Sequence, residues 1–360
     1  MLKTAPAVFA VGEEYQIMVP VEKECLFWVR VGDKTYYDAA NGIMNSLSEI
    51  HRVTVPMGEL DREKAYTVCV KGIIDRKPYF PLTEEVWEKT YLFRPVPETN
   101  IRAYHISDAH NRIEEPLRAA NAFGALDLLI LNGDVIDHSG DPSKFSNIYE
   151  ICSRLTGGEV PVVFSRGNHD MRGRYAEKFA EYTPNRFGYT YYSFRLNTLW
   201  GLLVDCGEDK PDDCAEYGYT VACHAFREKQ TAYIEGLVRD AEREYAAPGV
   251  KTRLVIAHNP FTERLEPPFD IEEDIYRKWC ALLREEIKPQ LMLCGHTHET
   301  TVRYPGCKDD TYGQACPVVI GGRPGEGYFA GCGYIFKEDG AEVVFTDSTG
   351  ACLKTEFIAY

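Results

Sequence analysis

Residues 162–170, Val-Val-Phe-Ser-Arg-Gly-Asn-His-Asp, are the stretch from which the rest of the sequence is best interpreted. The apolar residues predict the end of a buried strand, and the turn after them carries side chains that bind metals in proteins. The glycine permits the tight turn and the close backbone approach that a crowded site needs. The segment therefore predicts a functional site at the carboxyl end of a strand.

Four other apolar strands end in the same way. The polar residues directly after them are Asp108-Ala-His110, Gly133-Asp134-Val-Ile-Asp137, His258 and Gly295-His296-Thr-His298. In open α/β sheets, sites form outside the carboxyl ends of the strands, so we expect all five clusters to converge at one edge. Five of the nine histidines lie in these clusters, which argues against a purely structural explanation.

The clusters offer seven nitrogen and oxygen ligands, more than one four-coordinate zinc ion uses. They suit two divalent ions that share one carboxylate. Two ions about 3.5–4 Å apart are the arrangement used for in-line displacement at phosphorus. The candidate ligands are Asp108, His110, Asp134, Asn168, His258, His296 and His298.

Two histidines are candidates for the ligand in the fourth cluster along the chain. His224 opens a predicted helix after a polar segment, whereas His258 ends a buried strand, as the other clusters do. Asn-Pro comes directly after His258 and breaks the chain there. The pattern favours His258.

Composition limits the classes of function. The 360 residues carry a formal charge of −15, with 44% apolar and 26% charged residues. That balance is typical of a globular protein with a sizeable core, and no apolar run is long enough to span a membrane. An acidic protein repels nucleic acid, so a soluble acidic enzyme with a small substrate is favoured over a nucleic-acid binder.

The 12 cysteines contain no Cys-x-x-Cys pair, so zinc-ribbon spacing is absent. Several lie in apolar strands and helices, where a thiol behaves as a small hydrophobe. No signal peptide is recognisable, and we expect reduced thiols in a cytoplasmic protein. In an oxidising compartment, after removal of a leader, disulfides remain an alternative among Cys206, Cys214 and Cys223 and between Cys307 and Cys316.

The rhythm of the sequence changes near Pro95-Val-Pro97. Before it, short runs of period two and no clear helix predict a small β-sandwich over residues 1–96. After it, apolar strands alternate with amphipathic helices, predicted at 224–246 and 270–287 and after Asp141-Pro142. Residues 97–360 are therefore predicted to form a layered α/β domain, with β-structure again after residue 317.

The order of these clusters resembles the calcineurin-like metallophosphoesterases, over roughly residues 99–360. The resemblance implies a four-layer α/β/β/α sandwich with a dinuclear centre at its edge. It implies one metal on Asp108, His110, Asp134 and His298, and a second on Asp134, Asn168, His258 and His296. Asp134 would bridge the two ions, and His169 resembles the family's catalytic histidine, paired with Asp137.

Two further resemblances concern the first domain and the metals. Leu60 and Tyr66 resemble the tyrosine-corner segment of fibronectin type III domains, which suggests an immunoglobulin-like or fibronectin III-like sandwich. Purple acid phosphatases also join an N-terminal sandwich to such a domain, but they have a tyrosine where this chain has Asp137. That departure favours a colourless site with Mn, Zn or Fe(II). The segment 207–213 resembles one seen in some bacterial members of the family.

The resulting hypothesis is hydrolysis of a phosphate ester by a metal-activated, bridging hydroxide, with His169 as general acid and Asp137 supporting it. Arg166, Arg172 and His138 are candidate contacts to substrate phosphate, although each is also compatible with an ordinary surface residue. We expect a phosphomonoesterase. The alternatives are a phosphodiesterase of cyclic nucleotide or glycerophosphodiester type, a nuclease, and a scaffold without activity. The oligomeric state is left open.

Overall fold

The first 92 residues are almost entirely β-structure in the computed structural model, which describes all 360 residues. One short helix, α1 (Met57–Glu63), interrupts them. The strands are β1 (Ala7–Val11), β2 (Glu14–Pro20), β3 (Cys25–Val31), β4 (Lys34–Tyr37), β5 (Ala39–Ala40), β6 (Ile43–Met44), β7 (Ile50–Pro56), β8 (Ala65–Asp75), β9 (Leu82–Thr83) and β10 (Trp87–Leu92).

The remainder of the chain alternates strands with helices and then returns to β-structure. The strands are β11 (Ile101–Ile106), β12 (Leu128–Asn132), β13 (Pro161–Ser165), β14 (Tyr192–Leu196), β15 (Leu199–Val204), β16 (Thr252–Ala257), β17 (Leu291–Cys294), β18 (Thr300–Arg303), β19 (Val318–Gly321), β20 (Arg323–Gly325), β21 (Tyr328–Phe336), β22 (Gly340–Asp347) and β23 (Cys352–Ala359). The apolar runs at 103–107, 126–132, 160–165, 199–205, 254–257 and 291–294 predict strands, and these are confirmed to within two residues at each end.

Five helices follow residue 97, and three of them, at 146–156, 223–239 and 273–282, are predicted from the periodicity, although the helix predicted at 224–246 ends at Arg239. The five are α2 (Glu114–Phe123), α3 (Ser146–Thr156), α4 (Phe179–Tyr182), α5 (Cys223–Arg239) and α6 (Glu273–Leu282). Asp141 caps a 3₁₀ turn ahead of α3 by accepting a hydrogen bond from the Ser143 N–H, and Gly157 ends α3 in the left-handed conformation. The helix predicted at 270–287 is α6 followed by a π turn, Leu283–Ile287.

Two large sheets make the central layers. The ten-stranded sheet has the order β23-β22-β21-β11-β12-β13-β1-β2-β7, with β20 beside β21. The six-stranded sheet has the order β14-β15-β16-β17-β19-β18. Strands β11, β12 and β13 are parallel neighbours in the first sheet, and β15, β16 and β17 are parallel neighbours in the second.

Helices cover the outer face of each sheet, which gives four layers. Side chains of α2 and α3 pack on the ten-stranded sheet through one buried cluster, and α5 and α6 pack on the six-stranded sheet through another. The largest apolar cluster lies between the inner faces. This mixed α/β architecture agrees with the predicted α/β/β/α sandwich.

The N-terminal strands do not stand apart from these layers, as a division at residue 96 would suggest. Strand β1 pairs in parallel with β13, with Val8 opposite Pro161, so β1, β2 and β7 continue the ten-stranded sheet. A second sheet, β10-β8-β3-β4 with β9, packs over this extension and shares its core. Pairing between segments so far apart in the chain leaves no local pattern, which explains why the sequence suggested two separate bodies.

Two local features of the N-terminal region were not expected. Helix α1 forms where only strands were predicted, and it is short enough that its pattern is hidden by the strands on either side. Tyr66 is buried, but its hydroxyl donates to the carbonyl of Gly158, 2.8 Å away, beyond the end of α3. The tyrosine therefore ties β8 to the α/β layers.

No helix has the length and apolar character needed to cross a bilayer. All twelve cysteines are free thiols, and most of the buried ones, such as Cys206 and Cys294, lie in apolar clusters. The disulfides held open as an alternative are absent from this structure.

Removal of residues 1–96 should prevent the remaining chain from folding as a soluble monomer. The deletion strips β13 of its partner β1 and leaves an unpaired edge in a large apolar sheet, which promotes aggregation. Soluble yield and calorimetric unfolding of residues 97–360 measure this. Tyr66→Phe serves as the mild control, since loss of one buried hydrogen bond costs about 1 kcal/mol. A soluble, monomeric fragment that unfolds cooperatively at the parental temperature would contradict the prediction.

Candidate metal centre

The seven candidate ligands lie at the carboxyl ends of parallel strands from both central sheets. Asp108, Asp134 and Asn168 follow β11, β12 and β13 of the ten-stranded sheet, whereas His258 and His296 follow β16 and β17 of the other sheet. Because these strand ends face the same edge of the sandwich, residues far apart in sequence meet there.

Five of the seven candidate ligands have a left-handed backbone conformation. Their φ angles lie between 45° and 67°, and the residues are Asp108, His110, Asp134, His296 and His298. Residues with a side chain rarely adopt this conformation, and it persists only where the surrounding structure enforces it. The backbone at the strand ends therefore accepts an unfavourable conformation that directs these side chains toward the site.

Two glycines make the close approach of the strand ends possible. A Cβ atom on Gly133 would lie 2.5 Å from His258 Nδ1, and one on Gly295 would lie 1.7 Å from Ser107 Oγ. Neither space admits a methyl group, so only glycine fits at these two turns.

The most buried part of the site consists of Asp108, Asp134 and His258, none of which is more than 2% exposed. His258 Nε2 lies 3.1 Å from Asp134 Oδ2 and 3.7 Å from Asp108 Oδ1. Its Nδ1 donates to the carbonyl of Asn132, 2.8 Å away, which turns Nε2 toward the carboxylates. Burial alone would lower the pKa of His258, but the charges of Asp134 and Asp108 raise it to about 10.

A second group joins Asp108 to His110 and His298. The Nε2 atoms of the two histidines lie 3.3 Å apart, and His298 Nε2 lies 3.4 Å from Asp108 Oδ1. Burial lowers the pKa of His110, whereas the hydrogen bond to Asp108 raises that of His298. Ring nitrogens converging on one carboxylate form a ligand set that divalent cations prefer.

Asn168 and His296 complete the set. His296 Nδ1 lies 3.1 Å from Asn168 Oδ1, and the backbone N–H of His296 donates to both oxygens of Asp108, at 3.1 and 3.0 Å. Burial, with the positive charge of His258, lowers the pKa of His296 to about 4. His296 is thus neutral at physiological pH, the form in which imidazole binds metal.

These residues fit a pair of divalent cations. The ring nitrogen His110 Nδ1 is buried and makes no hydrogen bond, and His258 Nε2 is buried facing two carboxylates. These carboxylates, Asp108 and Asp134, are buried side by side, which is unfavourable unless cations accompany them. The donor atoms are nitrogen and oxygen throughout, ligand types that divalent cations take in proteins.

His169 lies at the edge of this cluster with its ring fixed on two sides. Nδ1 is 2.9 Å from the main-chain carbonyl of Asp137, and Nε2 is 3.2 Å from Arg172 Nη1. A carbonyl only accepts and a guanidinium only donates, so Nδ1 carries the proton and Nε2 is the acceptor. The carboxylate of Asp137 lies 3.6 Å from His169 Nδ1 and 3.3 Å from His110 Nδ1. The carbonyl of Asp137, rather than its carboxylate, therefore sets the tautomer.

Three other candidates lie outside the cluster. Arg166 donates through Nε to Asp205 Oδ2 at 2.7 Å, and both side chains are largely buried. His138 is exposed, and its Nδ1 accepts from the N–H of Gly140, which makes it a loop residue. His224 is exposed and pairs with Glu272 Oε2 at 2.9 Å, away from the strand ends. The structure thus places His258, not His224, among the candidate ligands.

Several supporting residues were not singled out from the sequence. Ser107 Oγ donates to Asp108 Oδ2 at 2.6 Å, within the strand end itself. Asp170 Oδ2 accepts the backbone N–H groups of Gly167 and Asp134, at 2.8 and 3.2 Å, and so fixes two turns. Burial and the neighbouring charge of Asp134 raise the pKa of Asp170 to about 8. Asp170 comes directly after His169, and that position was the only signal in the sequence.

The acidic loop at residues 207–213 lies beside the candidate ligands. Glu208 is buried, and Asp209 Oδ2 lies 3.8 Å from His296 Nε2. The loop therefore forms part of the wall of the site.

Metal binding should depend on His258 and not on His224. We expect the parent protein to hold about two divalent ions per chain and to lose thermal stability when a chelator removes them. His258→Asn should lose metal and abolish the stabilisation by Mn²⁺, because it removes a ring nitrogen that faces both buried carboxylates.

The matched control is His224→Asn, which should keep its metal and its response to chelator. Elemental analysis and melting temperatures with and without Mn²⁺ measure both variants. Retention of both ions in His258→Asn, or their loss in His224→Asn, would contradict the assignment.

Comparisons with known proteins agree with this geometry. The family model for calcineurin-like phosphoesterase matches residues 101–300. The structure of purple acid phosphatase from yellow lupin (Lupinus luteus) seeds is similar over 100% of this chain and 75% of that one, with 12% identity and a TM-score of 0.58. At that identity the likeness concerns the fold. No curated protein matches the sequence.

Structures of Vacuolar Protein Sorting 29 match less closely. The protein from Cryptosporidium parvum covers 73% of this chain and 100% of its own, with 11% identity and a TM-score of 0.35. The zinc complex from Entamoeba histolytica covers 72% and 99%, with 10% identity and a TM-score of 0.31. The family model spans more than half of the chain and includes all seven candidate ligands. This protein belongs to the calcineurin-like phosphoesterase family.

Proposed function

We propose that this protein is a dinuclear-metal-dependent phosphoester hydrolase that acts on small phosphomonoesters. The observation that carries the proposal is the convergence of seven metal-capable side chains from five strand ends, with His169 at the edge of the cluster. Asp134 Oδ1 also accepts a hydrogen bond from the backbone N–H of His169 at 2.9 Å. This bond fixes the position of His169 relative to the candidate metal site.

The ligand assignment follows the family, and the grouping of Asp108 with His110 and His298, and of Asp134 with His258, supports it. Asp108, His110, Asp134 and His298 would hold one cation, and Asp134, Asn168, His258 and His296 the other. Bound there, two divalent cations would neutralise the charge of the phosphoryl group and make water nucleophilic at neutral pH. We propose Mn, Fe or Zn as the metals.

His169 is proposed as the general acid. Its Nδ1–H is held by the carbonyl of Asp137, so a proton gained at Nε2 would point toward the leaving oxygen of the substrate. The carboxylate of Asp137, 3.6 Å from Nδ1, would stabilise the imidazolium. Protonation of the leaving alkoxide matters most for substrates whose alcohols are weak acids.

We also propose that residues 1–96 form a fibronectin III-like sandwich with a packing role. Its main strands divide into three, β1-β2-β7, and four, β10-β8-β3-β4, which is typical of that class of sandwich. The shared sheet and the Tyr66 hydrogen bond support a role in stabilising the α/β layers rather than in chemistry.

A phosphodiesterase is the alternative, and two esters with the same leaving group separate it from a monoesterase. Metal-stripped protein re-supplied with Mn²⁺ should hydrolyse p-nitrophenyl phosphate faster than bis-p-nitrophenyl phosphate. Absorbance of p-nitrophenolate gives kcat/KM for both. Faster turnover of the diester would contradict the monoesterase and favour the diesterase. No Mn²⁺-dependent turnover of either would favour the scaffold.

His169→Ala should keep its metals and lose turnover, most severely with alkyl phosphates. Loss of a positioned general acid costs roughly 10²–10⁴-fold in rate, and less where the leaving group needs no proton. Turnover of glycerol 3-phosphate and of p-nitrophenyl phosphate, together with metal content, measures this. His224→Ala is the control. Parental activity of His169→Ala on the alkyl ester would remove His169 from the mechanism.

A further inference from the structure

The guanidinium of Arg172 joins the buried acidic loop to the proposed catalytic histidine. Its Nε and Nη2 donate to Glu208 Oε1 and Oε2, at 2.8 and 2.9 Å, as a bidentate pair. Its Nη1 lies 3.2 Å from His169 Nε2, the ring nitrogen that does not contact Asp137. The positively charged guanidinium of Arg172 therefore lies directly beside His169 Nε2, the atom that we propose exchanges a proton with the substrate.

The position of Glu208 is itself fixed, so that Glu208 can orient the guanidinium of Arg172. Its side chain is 1% exposed, and its main-chain carbonyl accepts a hydrogen bond from Arg227 Nη2. Arg227 is itself buried and pairs with Glu272 at 2.8 Å. Bidentate pairing sets the plane of a guanidinium as well as its position, and the hydrogen bonds to Glu208 raise the pKa of Arg172 further.

Arg172 is also accessible from solvent. Its side chain is 30% exposed, and it lines a cleft of about 670 Å³ between residues 166–177 and 208–222. In the contact between Nη1 and His169, the acceptor is a neutral ring nitrogen. Such a hydrogen bond is weaker than one to a charged phosphoryl oxygen. An incoming phosphate can therefore take over Nη1 and leave His169 Nε2 free to act.

The other arginines near the site are differently placed. Arg166 pairs through Nε with Asp205, and its Cζ lies 5.3 Å from the centroid of the Phe226 ring; it makes no hydrogen bond to His169. Arg174 lines the same cleft as Arg172 but makes no ion pair or hydrogen bond, and lies over the ring of Tyr175, with 5.6 Å between Cζ and the ring centroid. Arg172 alone combines a fixed orientation with proximity to His169.

We propose that Arg172, positioned by Glu208, binds a terminal phosphoryl oxygen and selects phosphomonoesters over phosphodiesters. The inference rests on the proposed function and adds the residue pair that determines its substrate class. A monoester carries one more terminal oxygen and one more negative charge than a diester. A guanidinium beside a dinuclear centre can bind that extra oxygen. Loss of the guanidinium should therefore lower kcat/KM for the monoester more than for the diester.

The test compares Arg172→Met with the parent, both loaded with Mn²⁺, on p-nitrophenyl phosphate and bis-p-nitrophenyl phosphate. We expect kcat/KM for the monoester to fall roughly 10- to 100-fold, the size of a charge-assisted hydrogen bond, and that for the diester to change by less than about 3-fold. Inhibition by inorganic phosphate should weaken by a similar factor to the monoester reaction. Equal losses on both esters would overturn the proposal, because they would show that Arg172 acts only through His169 or the fold.

Two further variants make the result specific. Glu208→Gln removes the charge that anchors Arg172, so it should raise KM for the monoester more than it lowers kcat. Arg174→Gln is the matched control, an arginine of the same cleft without contact to His169, and should behave as the parent. If Arg172→Met does not fold, Arg172→Lys keeps the charge without the bidentate pair and should lose an intermediate part of the preference. A parental preference in Arg172→Lys would overturn the bidentate role.

Failure of the proposed function would be visible separately. If the parent hydrolyses neither ester, equilibrium binding of inorganic phosphate to the Mn²⁺-loaded parent and to Arg172→Met still tests the contact. Weaker binding by the variant supports the phosphate contact, and equal binding overturns it.

Discussion

The burial of two carboxylates side by side, Asp108 and Asp134, is the constraint on which the rest of the structure depends. Neither is more than 2% exposed, and His258 from the opposite sheet lies within 3.7 Å of both. Two negative charges removed from water destabilise a fold unless positive charge accompanies them. These carboxylates raise the pKa of His258 to about 10, which reflects how strongly their surroundings favour positive charge. A divalent cation held there would supply that charge.

The shape of the strand ends serves this burial. The turns hold the carboxylates and the His258 ring nitrogen in one arrangement that a divalent cation would fit. Left-handed residues and glycines at the turns keep these ligand atoms converged. The strain is tolerated because the turns close two large sheets whose apolar core supplies the stability.

The sequence predicted the part of the candidate site that consists of residues directly after a strand. Asp108, Asp134, Asn168, His258 and His296 could be placed at a common edge, since an apolar run ending in a polar turn is a local pattern. Contacts between distant segments left no such pattern. The pairing of β1 with β13 was therefore missed, and so was the bond from Tyr66 to Gly158. The pair of Arg172 and Glu208 was missed for the same reason, since 36 residues separate an exposed-looking arginine from an acidic loop.

The acidic charge of the protein and its proposed anionic substrate are compatible for a physical reason. A net charge of −15 creates a field that opposes phosphate at long range, but the field of exposed charges is screened within about 10 Å in salt. At the site, the buried carboxylates are neutralised by whatever cation they hold, and Glu208 is neutralised by Arg172. The remaining positive charge of a dinuclear centre would then act at short range on the substrate. The proposed recognition of phosphate would therefore depend on a few fixed contacts at the strand ends, and hardly on the sign of the whole surface.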